Sequence, residues 1–262
     1  MVSEEVRNQF LSRIPCLPII EIGPGLGVIT EPMAKRGLPI MVVEIDRRFA
    51  PVLLPLQKRY PNLTVVFANA LKINFRQEGE KLRVGKEGVW LVGALPYQLV
   101  EPLMLKLARN PEEKRVIAGA TLLVSERSAR QMIKERPPRA KLGMLTTSLF
   151  KPRLVKMGID KSNFWPQPRT RSAIIELTGW GQGELLVQPA NFLWRYLFSH
   201  SRAKIKNALR EGLIAWQQGG LTKNQARSLI VQLNLPDQLL NKSTEQLNRS
   251  ELEKLDQALF SL

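Results

Sequence analysis

The feature that most constrains this chain is a series of short, unbroken apolar runs in its first half. Residues 17–22, 39–45, 63–68, 88–93 and 116–124 are rich in Val, Ile and Leu and show almost no polar alternation. A strand with one face in water alternates apolar and polar residues, whereas a strand covered on both faces does not. Helical patterns lie between the runs: 30–36 closed by Gly37, 49–60 bent by Pro51 and Pro55, and 101–109. Buried strands with helical crossovers predict an α/β, doubly wound, Rossmann-like sheet.

The pattern changes after about residue 145. Segments 149–157 and 172–177 predict closing strands that include a hairpin, and Gly179-Trp-Gly-Gln-Gly183 reads as a linker. Beyond Asn191 the periodicity is helical over 192–213, 222–233 and 249–260, with helix starts at Ser243-Thr-Glu-Gln and at Ser250 before Glu251. These boundaries predict a cofactor-binding domain at 1–183 and a small all-helical domain at 184–262.

With 44% hydrophobic residues in 262, the chain has enough apolar material for a core. Its longest apolar stretches are too short to cross a bilayer, and its first fifteen residues lack a secretory pattern. One cysteine, Cys16, and one histidine, His200, argue against a disulfide scaffold, a zinc site or a catalytic triad. No metal and no membrane are expected, and a reducing, cytoplasmic location is. Cys16 reads as a small buried apolar residue before the first strand.

The formal charge is +16. Such an excess repels itself and favours a polyanionic partner, most commonly nucleic acid. It is also clustered. Residues 114–141 hold eight Lys and Arg, Arg127 and Arg130 among them, against Glu126 and Glu135. Between Arg195 and Arg210 lie Arg202, Lys204 and Lys206 with no acid at all. Neither cluster adjoins a long apolar helix face of the membrane-surface kind.

Two segments carry the chemistry. Glu21-Ile-Gly23-Pro-Gly25-Leu-Gly27 follows the first strand, so its glycines let the backbone turn tightly beside a ligand and a helix opens behind them. A dinucleotide fingerprint needs Gly or Ala at position 28, which is Val28 here. Glu44 ends the second strand, where a carboxylate can accept both ribose hydroxyls. Adenosine without a pyrophosphate is the ligand this combination fits, and S-adenosylmethionine is the best candidate. The fourth strand runs into Gly93-Ala94-Leu95-Pro96-Tyr97, at the strand ends where these folds bind ligands. Further on, Asn163-Phe164-Trp165-Pro166-Gln167-Pro168 holds aromatics on rigid prolines, and Arg169 and Arg171 suit phosphate. A flipped base would fit between Tyr97 and an aromatic of this loop.

Taken with Val43-Glu44-Ile-Asp46, and with Phe198-Ser-His-Ser-Arg202-Ala-Lys204 followed by Asn207-Ala-Leu209, these motifs occur in an order that resembles the KsgA-type ribosomal RNA adenine dimethyltransferases, with the Erm-type enzymes as cousins. The resemblance runs from about residue 17 to the end. It implies that Glu21, Gly23, Gly25 and Gly27 meet the methionine part of S-adenosylmethionine. It implies further that Glu44 and Ile45 meet the ribose side, and Asn69, Ala70 and Ala94 complete the pocket. Ala94, Leu95, Pro96 and Tyr97 would line the target adenine and Phe164 would stack on it. The implied activity is N6-dimethylation of adenines near the 3′ end of small-subunit ribosomal RNA, late in subunit assembly, by a monomer. Arg127, Arg130, Arg169, Arg171, Arg202, Lys204 and Lys206 would hold the RNA.

Three departures stand out. Ala94 replaces a family residue whose side-chain oxygen accepts from the adenine amine. Asn69 replaces an acid, though its amide oxygen still accepts. Gln9-Phe10-Leu11 lies only about a dozen residues before Gly23, where the family's corresponding segment lies well upstream, so it is either shortened or put to another use. Ala94 and Asn69 leave a second reading, a catalytically weak relative that docks on ribosomal RNA as an assembly factor.

Overall fold

A computed structural model describes residues 3–82, 88–133, 140–180 and 188–262, with the backbone alone of Tyr97. Its centre is one seven-stranded sheet in the order β3-β2-β1-β4-β5-β7-β6. The strands are β1 Ile19–Ile22, β2 Ile40–Glu44, β3 Leu63–Phe67, β4 Val89–Ala94, β5 Ile117–Ser125, β6 Phe150–Ile159 and β7 Ser172–Gly179. The first five pair in parallel, in the doubly wound manner expected, while β7 runs antiparallel to β5 with β6 beside it. Every residue of β1 and β2 is buried, as is β4 up to its last residue, which is why these runs lack polar alternation. The strand order reverses between β1 and β4, and the C-terminal ends of such a pair leave a crevice.

Helices α1 Glu4–Leu11, α2 Thr30–Ala34, α3 Ala50–Arg59, α4 Phe75–Lys81, α5 Tyr97–Arg109, α6 Pro111–Arg115, α7 Glu126–Met132 and α8 Lys141–Leu149 precede or link these strands. Later come α9 Pro189–Ser199, α10 Ile205–Trp216, α11 Lys223–Gln232, α12 Asp237–Leu240 and α13 Arg249–Phe260. Two compact units result. The first comprises Met1–Leu103, Glu112–Ala129 and Pro152–Gly179; the second comprises Met104–Pro111, Arg130–Lys151 and Trp180–Leu262. The helical unit therefore takes in two segments from the earlier sequence as well as the C-terminal region. Residues 134–139 of the first basic cluster lie outside the described residues, as do 181–187, which include 181–183 of the glycine linker.

Within the helical unit, Trp194 and Phe198 stack at 5.0 Å, and the Trp194 indole donates to Asp256 Oδ1 at 2.7 Å. Leu252, Leu255 and Leu259 of α13 are buried, as their spacing predicts. Helix α8 carries Thr146, Thr147 and Ser148, yet is buried along 142–149. Their hydroxyls donate to the carbonyls of Leu142, Gly143 and Leu145 at 2.7–2.8 Å, so no polar group loses its partner on burial.

Three expectations are corrected. The helix expected over 192–213 breaks after Ser199, because the chain turns at Ser199–Lys204: Ala203 N–H donates to His200 O at 2.9 Å and Ile205 N–H to Lys242 O at 2.8 Å. Cys16 is exposed, because it lies in the connection between α1 and β1, before the buried strand begins. Helix α13 is capped by Asn248 and starts at Arg249 rather than Ser250: Asn248 accepts from Glu251 N–H at 3.0 Å and Glu251 accepts from Asn248 N–H at 3.1 Å, which leaves Ser250 in the first turn.

Candidate functional site

The β1–α2 loop is built on three left-handed glycines, with φ of +71° at Gly23, +54° at Gly25 and +71° at Gly27. A residue with a Cβ costs about 1–2 kcal/mol in that conformation. The loop is tied down by Gly23 N–H to Val43 O at 2.9 Å, Gly25 N–H to Glu44 Oε2 at 3.1 Å and Gly27 N–H to Pro24 O at 2.9 Å. A Cβ at Gly27 would lie 2.7 Å from Leu56 Cδ1, so this glycine answers to packing. At Gly23 and Gly25 nothing of the protein lies within 4 Å of such a Cβ; both line a cavity. The helix expected over 30–36 begins at Thr30, after a run of turns, and ends at Ala34.

That cavity measures about 510 Å³, within the usual range for small-molecule sites. It opens at the C-terminal ends of β1, β4 and β5, bounded by Glu21, Gly23 and Gly25 on one side and by Val92, Gly93, Ala94 and Leu123 on another. Gly93 has a steric reason: its Cβ would approach Ile22 O to 2.7 Å. Ala94 is exposed at the cavity edge, Leu95 is buried beneath it with its N–H on Leu123 O at 2.9 Å, and Pro96 is exposed. The expected aromatic ring of Tyr97 lies outside the described residues; its backbone begins α5.

Glu21 is the one ionisable side chain among the described residues of this lining. Burial pushes its carboxyl up to about 7; the Thr30 hydroxyl, donating at 2.6 Å, pulls it down, and the charge of Glu44 adds to the rise. Glu44 is buried and bridges two backbone segments, with Oε1 accepting from Asp46 N–H at 2.9 Å and Oε2 from Gly25. A carboxylate has about four acceptor sites, so capacity for a ribose hydroxyl remains. Ile45 is 69% exposed beside it, a free apolar face of the kind a flat ring covers. Asn69 Oδ1 accepts from Leu71 N–H at 2.9 Å, and Ala70 is buried. Neither Glu44, Ile45, Asn69 nor Ala70 belongs to the cavity wall itself. Glycines with empty space in front of them, an acceptor at the end of β2 and an apolar shelf beside it fit an adenosine bearing a short zwitterionic chain.

Ile29, Phe49, Val92 and Leu123 line the wall without being singled out as site residues by the sequence, whereas Phe10 and Trp165 belong to segments that it does single out. Phe10 comes from α1, whose last turn is held by Arg36 donating to Leu11 O at 2.8 Å and Ile14 O at 3.2 Å. Its segment is thus neither lost nor idle: it supplies a buried wall of the cavity. No local signal marks Ile29, Phe49, Val92 or Leu123, since each reaches the site through tertiary packing. Phe164 also lines the cavity. Among the described residues no group of three or more His, Cys, Asp or Glu converges as a metal site would, and no helix is long and apolar enough to cross a membrane.

The basic residues divide between the units. Arg127, Arg169 and Arg171 are exposed in the first; Arg130, Arg202, Lys204 and Lys206 are exposed in the second. Arg202 lies in the turn that splits α9 from α10, where Ser201 donates to Glu245 at 2.9 Å and Arg109 pairs with the same carboxylate at 2.7 Å. His200 is exposed and stacks on Tyr196 at 4.2 Å.

The sequence matches the model of the family described as ribosomal RNA adenine dimethylase over residues 3–254. It is 30% identical to the ribosomal RNA small subunit methyltransferase A of Bacillus licheniformis over 74% of this chain and 67% of that protein. It is 28% identical to the probable ribosomal RNA small subunit methyltransferase A of Thermococcus kodakarensis, over 80% of this chain and 69% of that protein. Among solved structures, the 23S rRNA methyltransferase ErmE shares the fold with a TM-score of 0.58 at 20% identity, covering 98% of both chains. A dimethyladenosine transferase from Plasmodium falciparum has a TM-score of 0.56 at 17% identity, covering 97% of this chain and 94% of that one. The chain belongs to the ribosomal RNA adenine dimethylase family.

Proposed function

We propose that this protein transfers methyl groups from S-adenosylmethionine to the N6 amine of adenines in small-subunit ribosomal RNA. The observation that carries this reading is the cavity joining the left-handed glycine loop to the end of β4. S-adenosylmethionine, when bound, supplies an electrophilic methyl group on a sulfonium sulfur. Gly23 and Gly25 would hold its methionine part, with Glu21 at the same end, while Gly27, expected to do the same, would act by shaping the loop. Glu44 and Ile45 would hold its ribose side, and Asn69 and Ala70 its adenine. Ala94, Leu95, Pro96 and Tyr97 would then line the target base, and Arg127, Arg130, Arg169, Arg171, Arg202, Lys204 and Lys206 the RNA backbone. The chain's contribution is to bring amine and methyl into line in a water-poor, apolar pocket rather than to supply a base. The same reading has the protein working as a monomer in the cytoplasm, without a metal and away from membranes.

Ala94 limits the rate. An adenine amine has its lone pair delocalised into the ring and needs an acceptor to become a nucleophile, and the Ala94 side chain has none beyond its main-chain carbonyl. An absent oriented polar contact of this kind costs about 10²–10³ in rate. Transfer of labelled methyl groups to immature small subunits tests the proposal. Wild type is expected to label N6 of adenine slowly, and Ala94→Asn faster. Label in Ala94→Asn with none in wild type would favour the second reading, an assembly factor that binds RNA without modifying it.

A further inference from the structure

We propose that a second cavity, at the turn between α9 and α10, holds one ribose and phosphate of an RNA backbone, with His200 accepting the ribose 2′-hydroxyl; this deepens the proposed function and rests on it. The cavity measures about 380 Å³, the size of a small-ligand site, and is lined by Arg109, Ser199, His200, Ser201, Arg202 and Glu245. All six belong to the helical unit, so the site is complete within it. None of them lines the cavity of the glycine loop.

The hydrogen bonds around His200 fix which ring nitrogen carries the proton. Nδ1 lies 2.9 Å from Tyr196 O, a carbonyl that can only accept, so Nδ1 is the donor. Nδ1 is also 3.1 Å from Ser199 Oγ, but that hydroxyl gives its own proton to the same carbonyl at 2.9 Å and so cannot donate to the ring. In the neutral ring Nε2 is then a bare lone pair, and it has no hydrogen-bond partner among the described residues. Stacking on Tyr196 at 4.2 Å holds the ring plane. A lone pair repels phosphate oxygens and takes a donor, and the donor an RNA backbone carries is the 2′-hydroxyl. The phosphate falls to Arg202, which is exposed and makes no ion pair among the described residues. Arg109 is already paired with Glu245 at 2.7 Å, and Ser201 donates to the same carboxylate at 2.9 Å, so these three shape the wall and leave Arg202 as its cation. DNA has no hydroxyl to offer Nε2, so the site selects RNA over DNA.

Binding of the full chain to three oligonucleotides of one length tests this. They are oligoadenylate RNA, its 2′-fluoro form, which keeps the sugar geometry of RNA but has no proton to give, and oligodeoxyadenylate. Wild type should bind the RNA about threefold to tenfold tighter than either of the others, the worth of one hydrogen bond. His200→Ala should lose affinity for the RNA alone and with it the preference, whereas His200→Gln, whose amide oxygen accepts, should keep part of it. Arg202→Gln should weaken all three alike and lower the slope of log affinity against log salt by about 0.7, while His200→Ala leaves that slope unchanged. A wild type that binds 2′-fluoro RNA as tightly as RNA, or a preference that His200→Ala leaves undiminished, overturns the assignment. Methyl transfer to immature small subunits separates this site from the proposed function. A His200-dependent preference in a protein that transfers no methyl overturns the proposed activity and leaves the site standing; transfer without such a preference does the reverse.

Discussion

Glu44 at the end of β2 accepts the backbone N–H of Gly25 at 3.1 Å, so the carboxylate expected to receive a ribose also holds the glycine loop in shape. Its other oxygen accepts Asp46 N–H at 2.9 Å. Glu44→Gln replaces one acceptor oxygen with a donor facing a donor and leaves a buried N–H unpaired, at about 1–3 kcal/mol. Titration calorimetry should find S-adenosylmethionine affinity lowered about 10-fold to 100-fold, with thermal stability falling in parallel.

Gly25→Ala and Gly27→Ala should separate ligand space from packing. Both place a Cβ at positive φ, at about 1–2 kcal/mol. At Gly27 the methyl also meets Leu56, whose side-chain end must move. At Gly25 it meets no protein atom and intrudes on the cavity instead. Denaturant unfolding should show Gly27→Ala the less stable of the two, while calorimetry should show Gly25→Ala losing cofactor affinity out of proportion to its stability.

Glu21 makes folding pH-dependent. Its carboxyl titrates near 7 in the folded protein against an ordinary value of 4.5. Between these values the folded state holds the proton that the unfolded state has released, so stability falls as pH rises through the window. Above about 7 the full cost, of order 3 kcal/mol, is present. Glu21→Gln keeps an acceptor for Thr30 and removes the charge. The stability difference between variant and wild type should therefore be larger in urea unfolding at pH 8 than at pH 5. A constant difference across that range would contradict the account.

Arg36 closes α1 by donating to Leu11 O and Ile14 O, and α1 carries Phe10 to the cavity wall. Arg36→Met should raise hydrogen exchange in residues 4–11, with a local loss of about 1–2 kcal/mol. Cofactor affinity should fall only a few-fold, because Phe10 itself remains.

Neutralising Arg202, Lys204 and Lys206 together should weaken RNA binding and reduce the slope of log affinity against log salt by about one for each phosphate left without its cation. Calorimetry should find cofactor binding unchanged. An unaltered slope would move the backbone contacts to other basic residues.

Much of the site was legible because loop glycines and strand-end acids are local requirements. Gly23, Gly25 and Gly27 stand where the backbone must turn left-handed, and Glu44 where β2 ends. Helix breaks were less legible: 192–213 keeps its apolar period across Ser199–Lys204, and only the bonds from Ile205 to Lys242 and from Ser201 to Glu245 reveal the turn.

The sequence by itself determined the parallel sheet, the glycine loop and the family, because burial on both faces and positive φ each restrict residue type wherever they occur. Only the tertiary structure decided which side chains form the wall of the cavity. Phe164 and Trp165 are adjacent, aromatic and equal candidates by sequence. The extended backbone between them turns one into the core and the other to water, and the choice depends on Phe10, Ile159 and Ile174, which lie far from them or from one another along the chain and meet only when the sheet is assembled.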